Sequence, residues 1–499
     1  MTKTLRFFLF AALAGGIWLA AGPVPVKPVH YVNPLAIEDT RSIADPTVIR
    51  FKGKYYLFLS GGMVWSSDDL AHWTHQPVTI PGRRGIGAPN AFVYKNSIYL
   101  TGNDTGLYRS AEPTGPWEYA GDIQDASGKK MLLFDSMGFV DEDGRVYMYY
   151  SGRHSDGIYG VELNRSDLTR FAGEPKKLWT FDKSHVWERY GDNNEGTEVS
   201  WLEAPWMTRH NSTYYLQYSA PGTEWKTYAV GVYTSKHPLG PFTYAPRNPI
   251  LVHKNGLING TGHHSMIEGP DGNLWAIYTI LYRNWGVFDR RIGLDRVSFD
   301  KAGNMFVMGP TETPQPIGVS GASPSTEDPP IALSLSRYSW AASSQAPGRD
   351  ASYAFDNNVR TWWEPRPDDP QPSLTLDLGC RNPTDANQEF LVSSARMLFD
   401  IAPPERQTLN VDGHGAWFPN APRSTAPAYR YRVEVSLDNI KFTTVIDQTE
   451  NKHANNVEFG EFAPARCRWV RLTITGRPKD LPLAVLEFTL FGKSAESAR

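Results

Sequence analysis

Three carboxylates and one histidine recur at matched places along this chain: Asp45 in "ADPTVI", Asp135 in "LFDSMGF", Glu203 in "LEAPWM" and His263 in "GTGHHSM". A carboxyl that keeps its proton can protonate a leaving oxygen, while an ionised partner activates water or attacks carbon. Two such groups across one bond suffice to hydrolyse the acetal that joins sugars. A third carboxylate beside the acid raises its pKa by like-charge repulsion and helps orient it. This chemistry requires no cofactor. Asp and Glu also cap loops where strands begin, which suits any one of them taken alone. Three at matched offsets argue for a shared site. A metal site is the rival reading of the cluster, but no ligand run such as His-x-x-x-His accompanies it.

The offsets come from a repeat. Five segments share one pattern: "DPTVIRFKGKYYLFLS" from Asp45, "APNAFVYKNSIYLTGN" from Ala88, "DSMGFVDEDGRVYMYYS" from Asp135, "EAPWMTRHNSTYYLQYS" from Glu203 and "HSMIEGPDGNLWAIYT" from His264. Each is a β-rich run, a turn of Gly, Asn, Asp or Lys, and a second run rich in aromatics, which is the signature of a hairpin. Aligned on Tyr56, Tyr99, Tyr147, Tyr215 and Trp275, the units are spaced by 43, 48, 68 and 60 residues. Asp45 stands 11 residues before its aromatic, whereas Asp135, Glu203 and His263 each stand 12 before theirs. In the second unit the same place falls on Gly87 or Ala88. "SAEPTGPWEY" from Ser110 and "SKHPLGPFTY" from Ser235 repeat a second signature.

Units of this size built only of strands cannot bury their own faces, so they stack as propeller blades. Five units predict a five-bladed β-propeller in an all-β protein. The first strand of every blade lines the axis, so the four chemical residues converge on one funnel.

Bulk properties bound the partners. The 499 residues allow more than one domain, and a net charge of −3 with no basic run argues against nucleic acid or an anionic membrane. Aromatics make up 13% of the chain, enough to supply flat faces for sugar rings as well as a core. Lys3 and Arg6 precede an apolar run ending near Ala21, the layout of a secretory signal peptide over 1–22, with an uncleaved anchor as the alternative. The protein is therefore expected in the periplasm or outside the cell. Cys380 and Cys467 are either a disulfide or two buried thiols. Oligomeric state is not readable.

Over about residues 40–310 these motifs resemble glycoside hydrolase family 43, five-bladed propellers that remove arabinose, xylose or sometimes galactose from plant polysaccharides. The resemblance implies Asp45 as general base, Glu203 as general acid and Asp135 as the residue that modulates the acid's pKa. It implies His263 on the axis beside a metal ion or water, and Arg290, rather than Arg291, as an arginine reaching the sugar. Trp206 is expected to touch substrate. The implied mechanism is inverting. Two departures stand out: Ser136 follows Asp135 where the family has Pro, and Gly87-Ala88-Pro89 replaces its Trp-Ala-Pro. "GDNNEGTEVSWLEAPWM" resembles a subgroup linked to arabinofuranosidase activity. An exo-acting α-L-arabinofuranosidase is thus expected, acting on arabinose- or xylose-containing plant polysaccharide. A β-D-xylosidase, a galactosidase and a catalytically inactive glycan-binding propeller are the alternatives.

The propeller is expected over 23–314 and a Pro/Ser/Gly-rich linker over 315–333. Strand-like alternation follows over 334–495, consistent with a β-sandwich. In order, these runs resemble a discoidin (coagulation factor 5/8 type) jelly roll, interrupted by an insertion over 381–426. The resemblance implies that Asp356, Thr361 and Glu487 help to hold a structural calcium.

Overall fold

The computed structural model describes residues 29–37, 43–61, 63–83, 85–282, 289–318, 330–334, 339–379, 388–400, 428–453, 455–477 and 483–495. The expected signal peptide, Cys380 and residues 381–387 and 401–426 of the expected insertion lie outside them, while Phe390–Phe399 within that insertion is a strand of the second domain. No helix among the described residues is long and apolar enough to cross a membrane.

Five antiparallel sheets of four or five strands follow one another along the chain. Their innermost strands are Thr47–Phe51, Asn90–Tyr94, Phe134–Val140, Glu203–His210 and Gly262–Glu268. Neighbouring inner strands touch in order, and the fifth touches the first, so the ring closes. The aligned aromatics face matched residues across each hairpin: Tyr56 opposite Ile49, Tyr99 opposite Phe92, Tyr147 opposite Phe139, Tyr215 opposite Thr208 and Trp275 opposite Ile267. Lys52-Gly53, Lys95-Asn96 and Asn211-Ser212 all carry positive φ at the hairpin tips, the paired left-handed geometry that matches strand twist.

The ring is fastened beside its fifth blade. Val29–Tyr31 pairs with Gln315–Ile317, joining the segment before the first blade to the segment after the last. Beneath this pair, the Asp295 carboxylate accepts hydrogen bonds from Tyr31, Tyr278, Thr311 and Asn33. The expected linker is therefore shorter than its composition suggests, because Gln315–Ile317 belongs to the propeller. At its other end, Ile331–Ala332 already pairs with Phe491 and Gly492 of the second domain.

That second domain is two antiparallel sheets, of four and five strands, enclosing one apolar core. Trp363 is fully buried there. Val359, Leu398, Val457 and Leu486 of the sandwich join the apolar cluster of the last three blades, so the domains share packing. Arg396, 1% exposed, crosses the boundary and donates to the carbonyls of Asn33 and Glu312.

Candidate active site

The head of each inner strand has the same backbone. Asp45, Ala88, Asp135, Ala204 and His263 all adopt positive φ, between 42° and 58°. That region is disfavoured for residues with a Cβ, so its fivefold recurrence marks a built feature. Blades three, four and five also carry one extra residue at this point, shown by register shifts at Phe134/Met137, Glu203/Trp206 and Gly262/His264. These bulges explain why three offsets are 12 and one is 11, and they turn the side chains toward the axis. Glu203 differs in detail, since it precedes the left-handed residue of its blade by one.

A second fivefold device holds the heads. Four residues beyond each aligned aromatic stand Ser60, Asn103, Ser151, Ser219 and Thr279. Four of them bond to the head of the next blade, and Ser151 bonds to the residue just before it. The Ala88 amide donates to Ser60, the Asp135 amide to Asn103, the His263 amide to Ser219 and the Asp45 amide to Thr279, while Ser151 donates to the Leu202 carbonyl. The heads are thereby fixed in space by neighbouring blades. The sequence reading passes over these positions, although a hydroxyl or amide at one constant offset is there to be counted.

The structure brings Asp45, Asp135, His263 and Arg290 into direct contact and sets Glu203 beside them. His263 Nδ1 lies 3.3 Å from Asp45 Oδ1 and 3.6 Å from Asp135 Oδ2. Arg290 donates to Asp45 Oδ1 at 3.0 Å and to Thr223 at 3.3 Å. Ser60 donates to Asp45 Oδ2 at 2.5 Å. Glu203 Oε1 accepts the Tyr228 hydroxyl at 2.6 Å. The three carboxylates are each buried.

Their protonation states diverge for identifiable reasons. Burial pushes the Asp45 carboxyl upward, but Arg290, His263 and the Ser60 hydroxyl outweigh it and leave it below its ordinary value. Glu203 goes the other way: burial and the charge of Asp135 hold it well above the ordinary range, against the Tyr228 bond. Asp135 is itself raised, chiefly by burial and by Asp45, with His263 opposing. One carboxyl is thus pushed toward its ionised form and another toward its protonated form within the same hollow, the division of labour that acid–base hydrolysis requires.

Tyr228 is not anticipated from the sequence. It lies just before the strand Ala229–Ser235, in a run with no repeat signature, and reaches Glu203 across the sheet. Gly262 makes room for it, because a Cβ there would stand 2.3 Å from the ring. Trp206, 9% exposed against 7% for Glu203, packs in the apolar cluster that runs through the last three blades.

Neither expected metal position forms a cluster. Among the described residues, no group of three or more His, Cys, Asp and Glu is arranged to hold a metal. His263 Nδ1 faces the carboxylates of Asp45 and Asp135. In the sandwich, Thr361 donates to Asp356 at 2.7 Å, and the Asn357 amide donates to Glu487 at 2.9 Å. Burial and the charge of Asp356 hold Glu487 well above the usual range, against the charge of Arg396.

A closed ring of five blades with two carboxyls of opposite pKa displacement in its funnel fits a glycoside hydrolase. The chain matches the sequence profile of Glycosyl hydrolases family 43 over residues 33–305, more than half its length, and belongs to that family. It is 27% identical over 300 residues to a β-D-galactofuranosidase of Aspergillus niger, covering 52% of this chain and 81% of that protein. It is 24% identical over 268 residues to a xylosidase/arabinosidase of Butyrivibrio fibrisolvens, covering 47% of this chain and 48% of that one. Among solved structures, a thermostable family-43 glycoside hydrolase superposes with a TM-score of 0.50 at 28% identity, covering 58% of this chain and all of that one.

Proposed function

We propose that this protein is an exported, exo-acting α-L-arabinofuranosidase that trims side chains of plant polysaccharides with inversion. Asp45 takes a proton from water as the water attacks the anomeric carbon. Glu203 gives its proton to the departing oxygen. Asp135 keeps Glu203 protonated by its charge, and Arg290 and Ser60 keep Asp45 ionised. The observation that carries the reading is the opposite displacement of Asp45 and Glu203 within one buried hollow. A furanoside is favoured because furanose- and arabinose-cleaving names occur among the relatives. The galactofuranosidase relative supports a β-D-galactofuranoside as the second reading.

Hydrolysis of aryl α-L-arabinofuranoside, β-D-galactofuranoside and β-D-xyloside by wild type, Asp45→Ala and Glu203→Gln tests the assignment. Asp45→Ala is expected to lose about 10²–10⁴ in rate on every substrate. Glu203→Gln loses as much where the leaving group is poor and little where it is strongly activated. Full activity in both variants sinks the roles, and preference for another glycoside sinks the substrate. Proton NMR of the anomer first released decides inversion.

A further inference from the structure

We infer that the sandwich domain is a working part of the active site: Asn456 fixes Arg291, and Arg291 fixes Arg290 on the base. The inference rests on the role proposed above for Asp45.

Arg290 opens the strand Arg290–Phe299, and its side chain reaches Asp45 Oδ1 at 3.0 Å. Its placement depends on its own peptide, whose carbonyl oxygen accepts from the Ile43 amide at 3.1 Å and from Arg291 Nη1 at 2.7 Å. The Arg291 guanidinium therefore grips the main chain of the residue that touches the base. It is held in turn on three sides. Nη1 donates to Asp289 Oδ1 at 2.7 Å, the plane lies over the Tyr282 ring at 4.6 Å, and Nε donates to Asn456 Oδ1 at 2.6 Å. The first two partners belong to the propeller. Asn456 belongs to the sandwich.

Asn456 is held firmly enough to act as an anchor. Its carbonyl accepts the Phe399 amide at 2.9 Å, and its Nδ2 donates back to the Phe399 carbonyl. Phe399 ends the strand Phe390–Phe399, which also carries Arg396, bonded to the propeller carbonyls of Asn33 and Glu312. Leu398 on the same strand sits in the apolar cluster shared with the last three blades. Arg291 is 7% exposed and Asn456 3%, so water cannot replace the amide oxygen once it is removed. The path from the sandwich to the base is Phe399, Asn456, Arg291, the Arg290 peptide and Asp45, with every link a contact in the structure. Asn456 and Arg291 are positioning residues.

The test uses the full chain and the aryl glycoside that the wild type cleaves. Profiles of kcat/KM against pH and unfolding temperatures are measured for Asn456→Ala, Arg291→Leu and the double variant. His30→Ala is the control, because it breaks a different contact between the domains, the His30–Glu461 pair at 3.0 Å. Asn456→Ala is expected to lower kcat/KM about tenfold, the scale of a slightly displaced reacting group. It also moves the acidic limb to higher pH, since Arg290 is what holds Asp45 down. In the Arg291→Leu background it adds no further loss, because it acts through that side chain. If Arg291→Leu does not fold, the limb of Asn456→Ala against that of His30→Ala decides alone. A wild-type profile for Asn456→Ala, a loss matched by His30→Ala, or losses that multiply in the double variant each overturn the proposal. An inactive Asp45→Ala beside an unchanged Asn456→Ala removes the clamp alone. A fully active Asp45→Ala removes the acid–base reading and the clamp with it.

Discussion

Replacing Tyr228 by Phe takes away one oxygen and leaves the ring in place, because Gly262 lies too close beneath that ring for it to shift far. What disappears is the hydroxyl that donates at 2.6 Å to Glu203 Oε1. A bond of this kind favours the ionised carboxylate, opposing the burial and the Asp135 charge that raise Glu203. Hydrogen bonds to charged groups contribute about 1.5–3 kcal/mol net. The loss therefore drives Glu203 further upward. The acid works while it holds its proton; the alkaline limb of kcat/KM must therefore move to higher pH. Below that limb the carboxyl is no longer aimed, and kcat falls about tenfold as a general acid loses alignment. The assay is kcat and kcat/KM on an aryl arabinofuranoside, or whichever aryl glycoside is cleaved, across the acid and alkaline limbs. A limb that moves down, or one that stays fixed with kcat intact, would show that Tyr228 does not govern the acid.

Glu203→Gln should make the protein more heat-stable at neutral and alkaline pH and no more stable in acid. The folded-state pKa lies above the ordinary 4.5, so ionising Glu203 costs stability progressively as pH rises from there; unfolding temperatures measured against pH check the sign. Gly262→Ala should cost about 1–3 kcal/mol by overpacking against the Tyr228 ring and should also lower kcat, read by denaturant melts and kinetics together. Asp295→Ala should cost about 2–4 kcal/mol, because it strips the shared acceptor from Tyr31, Tyr278, Thr311 and Asn33 beneath the ring closure. A chemical melt unchanged from wild type would refute that reading of the closure.

The blades are legible because each hairpin repeats its aromatic, its turn and its strand-forming run within a short window. The chemical heads are legible for the same reason: counting back from Tyr56, Tyr147, Tyr215 and Trp275 reaches Asp45, Asp135, Glu203 and His263. Arg290 comes from motif resemblance, and its contact with Asp45 joins residues far apart in sequence. Tyr228 stays hidden because its partner is chosen by how the fourth sheet folds back on itself. The linker reads too long because its Pro/Ser/Gly-rich composition hides a pairing: Gln315–Ile317 is short, and only its partner Val29–Tyr31 makes it a strand.

Ala88 gives the recurring backbone turn its widest consequence. Four blades present an acid or an imidazole near their left-handed heads, and the second presents only a methyl group, with its amide still seated on Ser60. The ring thus repeats one left-handed backbone position five times, and in the second blade it carries no chemical group. Asn, Asp or Gly, the residues that tolerate that φ, should fit there without disturbing the scaffold. A chemist wishing to add a fifth functional group to the funnel would begin at this position.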